Sequence, residues 1–192
     1  MHQLRAILFV DGENLVFRYQ DAISNGAVPA EGVVHEADCF VWHAALTQIS
    51  HLDLLRVCYY TTVTGSDEKV VEIKEKLARI AYSAQSVGGG TIAGQLYPVV
   101  FKKLQKSRKT RVVDIQLIID VMRYSFSNAI DLVYLVSGDQ DYLPLISEVM
   151  RHGKQVYVAA LSSGLGSELR YSCDDFVDLD KYFFKPSAKP AT

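Results

Sequence analysis

Short, wholly apolar runs alternate along this chain with longer stretches of helical period. Ala6-Ile7-Leu8-Phe9-Val10 is apolar at every position, as a strand buried on both faces must be. Runs over 54–63, 96–101, 132–136 and 155–161 predict four more strands, and Phe176, Val177 and Leu179 predict a short edge strand. The stretches between them read as helices. Residues 36–50 set Trp42, Leu46 and Ile49 on one face. Ser66 is placed to cap a helix running to about Gln85, ended by Gly88-Gly89-Gly90. Residues 113–126 carry Ile115, Leu117, Ile118, Val121 and Met122, and a helix over 142–152 stops at Gly153. Strands apolar on both faces and separated by helices imply a parallel sheet. The expected fold class is therefore α/β, a three-layer Rossmann-like sandwich around a central, mostly parallel sheet. One domain is expected over 1–184, followed by a disordered tail over 185–192.

Composition narrows the partners. The 192 residues are 49% hydrophobic and 22% charged, with a net charge of −2. A chain of this size buries about 70% of its surface on folding and needs no disulfide or metal staple. A globally basic nucleic-acid coat is excluded; a local basic patch is not. No apolar run approaches the roughly 20 residues of a membrane-spanning helix, so no membrane partner is expected. The apolar run before Asp11 is too short for a signal-peptide core. Cys39, Cys58 and Cys173 are scattered without CxxC spacing, as expected of reduced thiols in a cytoplasmic protein. The histidines lack zinc-ligand spacing, and Gly88-Gly89-Gly90 lacks the Lys-Ser/Thr of a phosphate-binding loop. Ser137-Gly138-Asp139 is not a nucleophile elbow.

The chemistry gathers at one edge. In an open parallel sheet, functional groups sit at the carboxyl ends of the strands. The first strand ends in Asp11-Gly12-Glu13-Asn14 and the fourth in Ser137-Gly138-Asp139-Gln140-Asp141. The helix that opens near Asp114 starts at the same edge. Asp11, Asp114, Asp139 and Asp141 are thus expected to converge, and carboxylates that converge repel one another unless a cation joins them. Mg²⁺, which keeps waters while held by a few carboxylates, fits such a set and supports phosphoryl chemistry. Asn14 and Ser137 are placed to orient the carboxylates. Each aspartate also has a plain structural reading: Asp141 and Asp114 as helix caps, Asp11-Gly12 as a turn. Asp120 lies about 120° around its helix from Asp114 and interrupts an apolar run, as a partly buried carboxylate with a partner does. Asp131, at the opposite edge, reads as structural.

Residues 102–111 hold six basic side chains and no acidic one: Lys102, Lys103, Lys106, Arg108, Lys109 and Arg111. A positive loop beside a negative pocket suits a polyanion held by its backbone while metal ions act on one phosphate. A solvated, lysine-rich loop is the structural alternative.

These residues resemble a known family. Phe9-Val10-Asp11-Gly12-Glu13-Asn14-Leu15 resembles the opening D-G-x-N motif of NYN domains, a branch of the PIN-like nuclease superfamily. The stretch from Arg111 to Asp120 is similar to its central K-G-V-D-x-x-L-x-x-D segment. The stretch from Asp131 to Leu145 is similar to its D-x-x-x-L-x-S-G-D-x-D-F-x-P-L signature. The likeness runs from about Leu4 to Leu179, closest to the LabA-like bacterial branch. It implies a PIN-like fold and hydrolysis of RNA phosphodiester bonds with Mg²⁺ or Mn²⁺, leaving 5′-phosphate and 3′-hydroxyl ends. Carried over, Asp11, Asp114, Asp139 and Asp141 would hold the metal, with Asn14, Ser137 and Asp120 supporting them. Arg111-Val112 stands where the family has Lys-Gly, and Tyr142 where it has Phe. Arg111 offers a planar fork in place of a point charge.

The expected function is a metal-dependent endoribonuclease. The alternative is a catalytically silent, regulatory or RNA-binding protein of the same fold. A phosphatase of the haloacid dehalogenase type ranks below both, because it needs an Asp where Glu13 stands. A sheet edge or the Tyr-rich segments offer a homodimer surface.

Overall fold

The computed structural model describes residues 4–49, 52–85, 90–104 and 111–186. The sequence pattern is realised in a six-stranded sheet in which every pairing is parallel. In chain order the elements are β1 (Leu4–Asp11), α1 (Gly12–Ser24), β2 (Val34–Glu36), β3 (Phe40–Trp42) and β4 (Leu52–Thr64). They continue with α2 (Asp67–Ala78), β5 (Ala81–Gln85), β6 (Thr91–Gln95), β7 (Tyr97–Lys103) and α3 (Val112–Phe126). The chain ends with β8 (Leu132–Val136), α4 (Leu143–Arg151), β9 (Gln155–Ala160), β10 (Asp175–Asp178) and α5 (Asp180–Phe183).

The sheet order is β10-β9-β8-β1-β4-β7. The chain moves outward from β1 through β4 to β7, then crosses back to β8 on the other side of β1. The switch point lies between β1 and β8, where open α/β sheets leave a crevice at the carboxyl ends of the strands. Alternate residues of β1 serve the two faces. Ala6, Leu8 and Val10 pack with Leu15, Val16 and Tyr19 of α1 and with Ile73 and Leu77 of α2. Ile7 and Phe9 pack with Val113, Leu117 and Val121 of α3 and with Leu145, Ile146 and Val149 of α4. This double burial explains why β1 has no polar alternation.

Several expectations are corrected. Residues 36–50 do not form a helix: Phe40–Trp42 is a wholly buried strand paired antiparallel with β2, and Ala44–Thr47 is a single 3-10 turn. The helix capped by Ser66 ends at Ala78, and Ala81–Gln85 form β5, paired antiparallel with β6. Helix α1 follows β1 directly and was not foreseen. Gly153 ends α4 at φ +73°, as expected. Phe184 bridges to Pro29 and the Lys185 amide donates to the Val28 carbonyl at 2.8 Å. Residues 187–192, where the disordered tail was expected, lie outside the described residues. Cys39, Cys58 and Cys173 are free thiols. Among the described residues no helix is long and apolar enough to cross a membrane.

Candidate active site

Asp11 is the last residue of β1, and Gly12 opens α1 at once. A Cβ on Gly12 would sit 2.6 Å from the Tyr60 carbonyl of β4 and would run into the Tyr59 ring, so only glycine lets α1 start this close to the sheet. Asp11 thereby becomes the cap of α1: its Oδ1 accepts the Asn14 amide at 3.1 Å. Its Oδ2 accepts the Ser137 hydroxyl from the end of β8 at 2.9 Å. Ser137 Oγ in turn accepts the Asp139 amide at 3.1 Å, and Asn14 Oδ1 accepts the Gly138 amide at 3.0 Å. The D-G-x-N and S-G-D segments are thus stitched across the switch point. Asn14 and Ser137 both hydrogen-bond to Asp11 and to the segment after β8.

The electrostatics of Asp11 are unusual. The residue is 3% exposed. Burial pushes its carboxyl up to about 7; the Asn14 amide and the Ser137 hydroxyl pull it back, while Asp114 and Glu13 push it further up. Tyr142 packs beside it, buried, with a hydroxyl that meets no hydrogen-bond criterion among the described residues. Burial, then the charges of Asp11 and Asp114 and of Asp139, hold that phenol far above its usual pKa, so it stays protonated.

The remaining carboxylates share this edge to different degrees. Asp114 sits in the first turn of α3, where a negative charge suits the helix dipole; the helix cap itself is Arg111. Asp139 caps the 3-10 turn Gln140–Tyr142 by accepting the Asp141 amide at 3.0 Å. Asp141 lies inside that turn, exposed, and does not cap α4. Among the described residues, no three His, Cys, Asp or Glu side chains form a group able to grip an ion directly. Asp120 is anchored away from Asp11: it accepts the Tyr60 hydroxyl at 3.0 Å and Arg123 at 2.9 Å. It is the partly buried, partnered carboxylate that its apolar neighbours predict.

The basic stretch divides. Lys106, Arg108 and Lys109 lie outside the described residues. Arg111 is exposed at the start of α3. Lys102 pairs with Asp67 at 2.7 Å. Lys103 does not lie on the surface as a free phosphate contact: it is 14% exposed and donates to Glu13 Oε1 at 3.0 Å. The same oxygen accepts the Thr62 hydroxyl at 2.6 Å. Sequence reasoning missed this Glu13–Thr62–Lys103 group and the buried Tyr142 hydroxyl. The adjacency of Glu13 to Asp11 was the one signal for the former, and the Tyr-for-Phe departure the one for the latter.

The NYN domain model matches residues 5–180 of this chain. The chain belongs to the NYN domain family. NYN domains are built on a PIN-like fold and are generally nucleases. Among solved structures, this NYN domain is similar to the crystal structure of a protein of unknown function from Vibrio parahaemolyticus, at 16% identity and a TM-score of 0.61, over 96% of this chain and 98% of that one. That likeness speaks for the fold alone. No curated protein matches the chain.

Proposed function

We propose that this NYN domain is an endoribonuclease that works with Mg²⁺ or Mn²⁺. The observation that carries the reading is the state of Asp11. It is a carboxylate buried at the switch point, held by neutral donors, with further carboxylates adding to its burden. A buried carboxylate so placed is either protonated or neutralised by a cation. An all-oxygen donor set matches a hard divalent ion. Asp11, Asp114, Asp139 and Asp141 would hold it. With no three of the side chains forming a direct ligating group, waters would complete the shell, as Mg²⁺ tolerates. When bound, such an ion supplies charge neutralisation at the scissile phosphate and a more acidic water.

The chain's own residues do the rest. Ser137 and the Asn14 amide fix both oxygens of Asp11, and the Asn14 side chain holds Gly138 so that Asp139 keeps its orientation. Lys102, Lys106, Arg108, Lys109 and Arg111 would bind the RNA backbone by charge and carry no sequence preference of their own. Asp120 would steady α3 through Tyr60 without touching substrate.

The test is a pool of single- and double-stranded RNA incubated with the protein in Mg²⁺, Mn²⁺ or EDTA, with Asp139→Asn as control. Cleavage that needs both the metal and Asp139 is the expected result. No cleavage, with metal binding shown by calorimetry, would favour the second reading, a catalytically silent RNA-binding or regulatory domain.

A further inference from the structure

We propose that the pocket beside Glu13 is a subsite for one unpaired RNA base, stacked on Phe17. The proposal rests on the ribonuclease reading and names the part of the substrate that this site would select.

The cavity measures about 230 Å³ and is lined by Glu13, Val16, Phe17, Asp38, Thr62 and Lys103, among others. Sites for drug-sized ligands run to roughly 300–1,000 Å³. A single planar ring system suits this smaller one. Glu13 lies two residues from Asp11 and its negative charge raises the Asp11 carboxyl, so the pocket adjoins the candidate active site. A base held here would belong to a nucleotide next to the phosphate at Asp11.

Phe17 supplies the platform. The buried stripe of α1 is Leu15, Val16 and Tyr19, whereas Phe17 is 63% exposed at the pocket rim, one helical turn from Glu13. The Arg18 guanidinium lies 5.3 Å from its ring centroid and steadies the ring. Unpaired bases stack on such rings whatever their sequence.

The polar wall supplies discrimination. Thr62 and Lys103 both bind Glu13 Oε1, and Oε2 carries no hydrogen bond among the described residues. Across the pocket, Asp38 adopts a left-handed backbone at φ +58°. Gln20 clamps it there, accepting the Asp38 amide at 2.7 Å and donating to its Oδ1 at 3.1 Å. Glu13 Oε2 presents an acceptor to the pocket, and it suits the exocyclic amines of adenine, cytosine and guanine, which uracil lacks.

The test is binding of fluorescein-labelled single-stranded oligo(A), oligo(C) and oligo(U) to the full chain, read by anisotropy in EDTA and again in Ca²⁺, with RNA length checked afterwards. Oligo(A) and oligo(C) should bind more tightly than oligo(U). Phe17→Ala should weaken oligo(A) binding about tenfold, and Phe17→Tyr should restore it. Thermal melts of both variants should match the wild type, because the ring is exposed. Equal binding by Phe17→Ala and wild type, a preference for oligo(U), or no RNA binding in either buffer would overturn the subsite. Phe17-dependent binding without any metal-dependent cleavage would overturn the ribonuclease reading and leave the subsite standing.

Discussion

The strand pair β1–β8 carries an aspartate contact at each end, and the two ends are built in opposite ways. At the amino end Asp131 accepts Arg5 through Nε at 2.9 Å, through Nη2 at 2.9 Å and through the backbone amide at 3.0 Å. The Arg5 guanidinium holds the Asp131 carboxyl down to about 2. At the carboxyl end Asp11 meets the Ser137 hydroxyl and the Asn14 amide, and burial raises its carboxyl to about 7. Each contact links residues 126 positions apart, across the same two neighbouring strands. One end satisfies its charge within the chain and locks the sheet. Among the described residues, the other pairs its buried carboxylate with neutral donors alone. Strongly perturbed carboxylates in a crevice mark sites of function, and under the proposed function the contrast gives stability to one end and chemistry to the other.

The largest expected effect is at Asp11. Asp11→Asn keeps the helix cap and should reduce RNA cleavage at least about a hundredfold, since even partners of metal ligands are worth roughly 10- to 100-fold. It should also change the pH dependence of folding. A carboxyl whose folded pKa is raised stabilises the fold below its unfolded pKa, and that stability is lost as pH rises through the folded value. Without divalent cations, the wild type should therefore be less stable at pH 8 than at pH 5 by about 3 kcal/mol, while Asp11→Asn is flat. Urea unfolding in EDTA at the two pH values measures this.

Ser137→Ala comes next. It removes a donor from Asp11 and the acceptor of the Asp139 amide, so kcat/KM on RNA should fall roughly 10- to 100-fold with the fold retained. A pH profile should move as well, because losing the donor lifts Asp11 further. The smallest effect belongs to the other end. Asp131→Asn should leave cleavage unchanged and lower the melting temperature modestly, by less than the Asp11 pH effect. Here the sign reverses: Asp131 contributes stability above about pH 4 that is lost as pH falls toward 2, and Asp131→Asn should lack that loss. If Asp131→Asn impaired cleavage as much as Ser137→Ala, the division between the two ends would fail.

The sheet was legible because its strands are buried on both faces; uninterrupted apolar runs such as 6–10 and 132–136 have few other homes in a protein of this size. The helix–strand errors share one cause. Phe40, Val41 and Trp42 are all buried, so β3 shows no alternation, and the spacing of Trp42, Leu46 and Ile49 imitates a helical face. Helix α1 was hidden because Asp11-Gly12 reads as a turn, and Phe17 breaks its apolar stripe. Asp11, Asn14, Ser137 and Asp139 could be read because the parallel topology sends both segments to one edge. Lys103–Glu13 could not: it spans 90 residues and depends on β4 and β7 lying side by side, and Lys103 looked like one more residue of a solvated basic run.

The most direct test of the central claim is the melting temperature of wild type and Asp11→Asn at pH 7.5, in EDTA and in millimolar Mg²⁺ or Mn²⁺. The metal should raise the wild-type midpoint by relieving the buried charge and leave Asp11→Asn unmoved. A wild type indifferent to metal, or a variant that gains as much, would contradict it.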